Sequence, residues 1–486
     1  MNAASTICLK FGMETSSVIR ARILYAFQVF AAIYNYKVSD VNADPTAICV
    51  TYGGPPNVSL DRNSFYIPAR YKPDIADTTS RQFTTRRYAN EDFYLWHGFD
   101  EAAGKPDWLG EIFEWISSSY EMGIEERDEV GRIPDSGMIF NRQGISSRKP
   151  YATLLMAWLE NSLRNGDGVE LLPKAPSPLR GVEHLVVCSH DIDFYYCDRR
   201  TTFIRLLKNM VIAGQVYRDW SFFASNCTMI LQLLRGRRPG DYLVPLTNAV
   251  RAKGFTSTLF AVPTHGHRRD PNYRIEQIAL SLREAQKNGL SVAVHGSYNS
   301  VIENGALSAE ARILENILYK KPLGSRQHWL RFDRHAKLFR AVEEAKLLFD
   351  SSLGFTDRTG FRNGASFAFP PYNFKEEKPH GFLEIPLVLM DGALAAESRT
   401  TGQDPQGIAD EVLRESRNWS WGGISVLWHN PMEAIQVPEK INKVFWDSAE
   451  KQNIFAERWM SADEFLSCSL HRYQNAGLLT ELRIDA

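Results

Sequence analysis

From residue 181 onward, short apolar runs alternate with helical stretches, and this alternation constrains the fold more than any other feature of the chain. The runs fall at Leu185–Ser189, Thr256–Val262, Leu290–His295, Ser325–Phe332, Phe382–Leu389 and Ile424–His429. Helical spacing marks the stretches between and after them, at Thr202–Ala213, Phe222–Arg235, Tyr273–Asn288, Ser308–Tyr319, Ala336–Phe349 and Gly407–Ser416. Strands separated by helices need crossover connections, so an α/β fold with a mostly parallel sheet follows. Closing that sheet into a barrel sets the C-terminal ends of all strands on one rim, so functional residues are expected just after the strands.

The first run ends as Leu185-Val-Val-Cys-Ser-His-Asp-Ile-Asp193. Side chains alternate along a strand, so Asp191 and Asp193 project to one side while His190 and Ile192 point the other way. Two carboxylates in one small volume repel and raise a pKa unless a cation sits beside them. A divalent metal meets that need, with one carboxylate as ligand and the other as a base acting on water. The same D-x-D pattern also serves as a helix cap at a strand end. Companions elsewhere in the chain decide between the two readings. His295 follows Leu290-Ser-Val-Ala-Val294, His429 follows Ile424-Ser-Val-Leu-Trp428, and Arg326 and His328 are expected on one face of Ser325–Phe332. Polar groups recurring at strand ends, each otherwise a buried group in need of a partner, favour a functional rim.

The chain has 486 residues, enough for two cores, and the pattern before residue 181 differs. Here a helix is expected over Ser17–Tyr34, a strand over Ala47–Tyr52 and an amphipathic helix over Asp107–Tyr120. The Gly- and Pro-rich stretch Arg164–Arg180 reads as a linker, which gives a domain over 1–175 and another over 181–486. Lys and Arg (56) balance Asp and Glu (57), so nucleic acid is not the expected partner. Six scattered cysteines without C-x-x-C spacing give neither a disulfide framework nor a thiolate zinc site. With no basic leader and no apolar run of the ~18 residues a span needs, the chain reads as cytoplasmic and without a transmembrane segment.

Seven segments taken in order resemble the polysaccharide deacetylase family: Ser189-His-Asp-Ile-Asp193, His295-Gly-Ser-Tyr-Asn-Ser300, Arg326-Gln-His-Trp-Leu-Arg331, Asp350-Ser-Ser-Leu-Gly354, Gly360-Phe-Arg-Asn-Gly364, Leu383-Glu-Ile-Pro386 and Val426-Leu-Trp-His429. The resemblance spans about residues 181 to 475. Asp128-Glu-Val-Gly-Arg-Ile-Pro134 and Arg148-Lys-Pro150 resemble the end of the accessory domain carried by a large bacterial subfamily. It implies a distorted (β/α) barrel after a smaller α/β or α+β domain. It also implies a metal-dependent hydrolase that removes an acetyl or similar acyl group from an amino sugar. By this resemblance Asp191 is the general base, Asp193 and His295 are metal ligands, Arg326 orients Asp191, and His429 is the acid that protonates the leaving nitrogen.

Where the family carries H-x-x-x-H, this chain has His295 and then Asn299. Asn offers only a neutral oxygen, so the third ligand must come from elsewhere. His328 is the preferred substitute, with His265 and His267 as further candidates. Zinc is the first expectation for the metal, with cobalt, nickel, manganese or iron as alternatives. Arg362 is expected to meet a substrate carboxylate or phosphate, and Tyr298, Trp329 and Trp428 to stack on sugar rings. A glycan precursor of the O-antigen or capsule type is the expected substrate, and a homo-oligomer is an open expectation. The rival reading is a non-catalytic glycan-binding or scaffold protein with a degenerate metal site, which Asn299 favours.

Overall fold

The computed structural model describes residues 5–12, 15–40, 46–54, 64–73, 82–165, 172–332 and 334–479. Residues 166–171, within the expected linker, lie outside the described residues.

The N-terminal part is built on a four-stranded parallel sheet in the order Lys37–Val38, Thr6–Phe11, Ile48–Tyr52, Ser64–Ile67. The helix Ser17–Tyr34 starts at the Ser16 cap and ends where Asn35 turns left-handed. Among the described residues it alone is long and apolar enough to cross a membrane, so the expectation that no run reaches that length is corrected. Its apolar residues serve a core. The helix is 61% buried, Tyr25 donates its hydroxyl to the Pro370 carbonyl (2.7 Å), and the Trp421 indole donates to the Ile33 carbonyl (3.2 Å). The helix Trp108–Ile116 is shorter than the expected 107–120 stretch, because Ser118 turns left-handed and a 3-10 turn, Ser119–Glu121, follows.

The larger sheet is parallel throughout. Neighbouring strands run Phe349–Asp350, Gly324–Gln327, Ser291–Gly296, Thr258–Ala261, His184–Asp191 and Gly422–Leu427. One further stretch joins both ends of this row: Leu383–Glu384 pairs with Phe349–Asp350, and Leu387–Met390 pairs with Gly422–Leu427. The row therefore closes into a distorted (β/α) barrel. The expected single strand over Phe382–Leu389 is broken at Ile385-Pro386, since proline has no N–H for a ladder. Two other runs also end early. Ser325–Phe332 leaves the sheet after Gln327, where Trp329 and Leu330 adopt left-handed backbone (φ 65° and 48°), and the helix over Ala336–Phe349 stops at Glu344 so that Phe349 can enter the sheet. Helices Leu243–Ala252, Glu439–Glu450 and Ala462–Asn475 and the strand Glu457–Met460 complete the wrapping.

Register sets the level of the rim. Asp191 pairs with Phe260, Ala261 with Val294, and His295 with Arg326. One continuous apolar cluster runs from Ile7 and Trp115 in the N-terminal part to Val186, Val294 and Val426 in the barrel. The Gly360–Gly364 segment makes this join possible. Gly360 has φ +124°, and a Cβ there would lie 2.2 Å from the Ser147 carbonyl oxygen, so only glycine allows the 147–152 chain to approach.

Candidate metal centre and active site

The strand His184–Asp191 is buried along its whole length. His190 turns into the core, where its Nδ1 lies 2.6 Å from the Trp428 carbonyl and burial pushes its pKa down to about 4. Asp191 and Asp193 face a cavity of ≈ 580 Å³ whose wall also includes His295, Trp329, Arg362 and His429. The alternation expected from the sequence therefore holds.

Arg326 is fully buried and fixes Asp191. All five of its N–H groups are used: Nε on the Ser351 carbonyl (2.9 Å), Nη1 on Ser189 Oγ and Asp191 Oδ1 (both 2.8 Å), and Nη2 on Ser351 Oγ (2.9 Å) and Ser425 Oγ (2.8 Å). A guanidinium held this completely cannot swing away, so Asp191 meets a cation in one fixed direction.

Three imidazoles converge on Asp193. His295 Nε2 lies 3.2 Å from its Oδ1, while His328 Nε2 and His429 Nε2 each lie 3.4 Å from its Oδ2. Burial alone would raise the Asp193 carboxyl, but His328 together with His295 and His429 holds it well below the usual carboxylate range. The His295 Nδ1 is 2.9 Å from the Arg326 carbonyl, which can only accept, so a ring proton sits there, and the neutral ring would offer its Nε2 lone pair to a metal. Among the described residues, that Nε2, Asp193 Oδ1 and His328 Nδ1 are buried without hydrogen-bond partners. Ligand atoms of Asp193, His295 and His328 all lie within 4.8 Å of one another. Orphaned buried polar atoms are costly unless a further group satisfies them, and one carboxylate with two imidazoles is a donor set suited to a first-row divalent ion. The residues fit such a metal.

His429 is held from behind. Its Nδ1 is 2.7 Å from Asp391 Oδ1, and its backbone N–H donates to Asp391 Oδ2 (2.9 Å). Burial would lower its pKa, but Asp391 and then Asp193 override it and raise it well above the ordinary histidine value. Its Nε2, 3.4 Å from Asp193 Oδ2, lies on the cavity side of the ring.

His328 joins the cluster, though not from the strand face expected, since the strand ends at Gln327. Asn299 stays outside it, donating to Glu303 Oε1 (3.0 Å) and accepting from Arg331 (3.4 Å). His267 is stacked on Tyr298 at 4.1 Å, and neither it nor His265 belongs to the cluster. Three of the expected substrate contacts are corrected. Arg362 lines the cavity, but Nε and Nη2 grip Glu121 at 2.9 and 2.7 Å and Nη1 donates to the Gly354 carbonyl (3.0 Å), which leaves no free fork for a ligand anion. Trp428 is fully buried, with its indole N–H on the Ile441 carbonyl (3.1 Å). Tyr298 is buried between other side chains, with Arg331 over its ring at 4.1 Å. Trp329 does reach the cavity and is 43% exposed, because the left-handed turn swings it outward while His328 stays in.

Several participants were not expected. Asp391 follows the run Leu387–Met390 as Asp191 ends His184–Asp191, a carboxylate at the end of an apolar stretch that could have flagged it. Ser189 and Ser351 fall in segments the resemblance singled out, and Ser425 lies just before the last of them, but with no role assigned to any of the three, because a serine in or beside a strand looks like any other. The Asp128–Pro134 segment forms a cavity wall, tied down by Arg132 to the Trp329 carbonyl (3.0 Å) and by Arg331 to the Val130 carbonyl (2.7 Å).

No protein-family model matches the chain, and no curated protein sequence matches it. Solved structures that resemble it include Puue allantoinase, at 13% identity and a TM-score of 0.39 over 64% of this chain and 96% of that one. Another is the peptidoglycan deacetylase PdaC from Bacillus subtilis, at 10% identity and a TM-score of 0.29 over 60% of this chain and 95% of that one. A third is a family 4 acetyl xylan esterase from Clostridium thermocellum in complex with a cobalt ion, at 10% identity and a TM-score of 0.26 over 58% of this chain and 90% of that one. The barrel assignment rests on this chain's own strand order and register.

Proposed function

We propose that the protein is a metal-dependent hydrolase that removes an acetyl or similar acyl group from an amino sugar. The observation that carries this reading is the convergence, at one cavity, of a fixed carboxylate (Asp191 on Arg326), an imidazole backed by a carboxylate (His429 on Asp391) and the Asp193–His295–His328 cluster, of which Asp193 and His295 line the cavity wall. A divalent ion bound by the cluster would supply Lewis acidity to the acyl carbonyl and acidity to a water. Asp191 has one oxygen committed to Arg326, and the other, 3.6 Å from His295 Nε2, would take a proton from that water. His429 presents its Nε2 proton to the leaving nitrogen, and Asp391 stabilises the cation until transfer. Trp329 offers an apolar face for a sugar ring at the mouth.

The finer assignment, to a glycan precursor of the O-antigen or capsule type with zinc as the metal, draws its support from the order of the seven sequence segments. Asn299, which favours a scaffold reading, lies outside the ligand cluster and does not weaken the donor set. The test is metal content of purified protein by elemental analysis beside release of acetate from N-acetylated sugar precursors. About one equivalent of metal, absent in His295→Ala, with acetate released, supports the reading. Metal-free protein after reconstitution with zinc, cobalt, nickel and manganese, with no acetate released, refutes it.

A further inference from the structure

A second cavity, of ≈ 570 Å³, shares Asp193 and Trp329 with the first and is also lined by His328 of the metal cluster. Its wall carries four cations, Arg205, Lys208, Arg268 and Arg269. The acids near them are already engaged. Asp193 faces the three imidazoles, and Asp270 accepts from the backbone N–H groups of Gly266 (2.9 Å), His267 (2.8 Å) and Tyr298 (2.8 Å). Among the described residues, the Nε of Arg205 is buried without a hydrogen-bond partner. Arg269 has only a distant ion pair with the exposed Glu129 (3.9 Å) and otherwise lies over Tyr298 and Trp329. A buried, unpartnered guanidinium donor is unfavourable in a protein that keeps it only for folding, and four cations exceed what the two carboxylates of this wall, Asp193 and Asp270, neutralise.

On the reading above, we propose that this cavity is a subsite for a phosphate or pyrophosphate group of the substrate, so that the amino sugar presented to Asp191 and His429 is a phosphate-linked one. Arg205 supplies the buried charge-assisted contact, and Lys208, Arg268 and Arg269 supply the outer charge. Two sources share this chemistry. One is a soluble sugar phosphate or nucleotide sugar. The other is a lipid-borne phosphate, to which the helix carrying Arg205 and Lys208 and the helix after it are suited. Helices Arg199–Ile212 and Trp220–Leu234 bury Leu206, Phe222, Met229 and Leu233 in one small cluster and leave Ile204 (43%), Leu207 (42%), Val211 (57%) and Trp220 (77%) exposed beside Arg200 and Lys208. Basic and apolar residues alternating on one face suit an anionic bilayer surface.

The test is calorimetric titration of the full chain with inorganic pyrophosphate. Wild type and His295→Ala should bind alike. Lys208→Gln/Arg268→Gln, which alters exposed positions, and Arg205→Met should each weaken binding about tenfold or more. Absence of binding, equal binding in the charge variants, or loss confined to His295→Ala would overturn the subsite. The last outcome would place the anion on a metal and leave the hydrolase reading intact. Cosedimentation with phosphatidylcholine vesicles, with and without phosphatidic acid, separates the sources. Capture that needs phosphatidic acid and Arg205 supports the lipid-borne source, and pyrophosphate binding without capture supports the soluble one.

Discussion

Arg326 Nη1 lies 2.8 Å from Asp191 Oδ1, and Arg326 cannot move without breaking a buried network of three serines and a backbone carbonyl. The carboxylate proposed as the base is thereby separated in role from its partner two residues on. Asp191→Asn is expected to keep bound metal and lose about 10²–10⁴-fold in turnover, whereas Asp193→Asn loses the metal. Elemental analysis beside kcat for both variants checks this, and the reverse pattern would exchange the two roles.

The third ligand is a separate question. His328→Ala is expected to lower metal content sharply, while Asn299→Ala leaves it unchanged, because Asn299 is bonded to Glu303 and Arg331 away from the cluster. Competition against a chelator reads out both, and equal retention would remove His328 from the site.

Asp391 is fully buried and bonded to His429, so in the proposed reaction it would act through that ring. Asp391→Asn is expected to reduce kcat about 10²-fold or more with metal content and KM little changed. A matching loss of metal would show instead that Asp391 only supports the rim.

Acid stability should depend on Glu121. Burial would raise its carboxyl, but Arg362 and His335 override that and hold it down from the usual 4.5 to about 2. A depressed carboxylate contributes stability that is present above about pH 4.5 and is lost as the pH falls towards 2. Glu121→Gln, which leaves Arg362 without its buried partner, is expected to cost about 3–5 kcal/mol at neutral pH and to flatten the acid limb of a denaturant-derived stability profile. A wild-type profile flat between those pH values would refute the assignment.

Gly360→Ala tests how the N-terminal part meets the barrel. With φ +124° and a Cβ placed 2.2 Å from the Ser147 oxygen, alanine must push the 147–152 segment away. A loss of about 1–3 kcal/mol in thermal or denaturant unfolding is expected. An unchanged midpoint would mean that the segment can shift freely.

Much of the barrel was legible in the sequence because its strands are buried on both faces and so read as apolar runs, with amphipathic helices between them. His184–Asp191 and Ser291–Gly296 were visible for that reason, and alternation alone put Asp191 and Asp193 on one side. Short or interrupted strands were not visible. Phe349–Asp350 is only two residues long and hides at the end of a helical pattern, and Pro386 divides what reads as one run.

The sequence by itself determined the order of the elements and the carboxylates and histidines that end strands, since periodicity and residue chemistry are local properties. Only the tertiary structure decided which of those groups meet. Asp391 backs His429 from 38 positions away, Ser189, Ser351 and Ser425 become the cradle of Arg326, and Arg362 is claimed by Glu121 from 241 positions away. Contacts between residues so far apart follow from barrel closure and strand register, and a linear pattern carries neither.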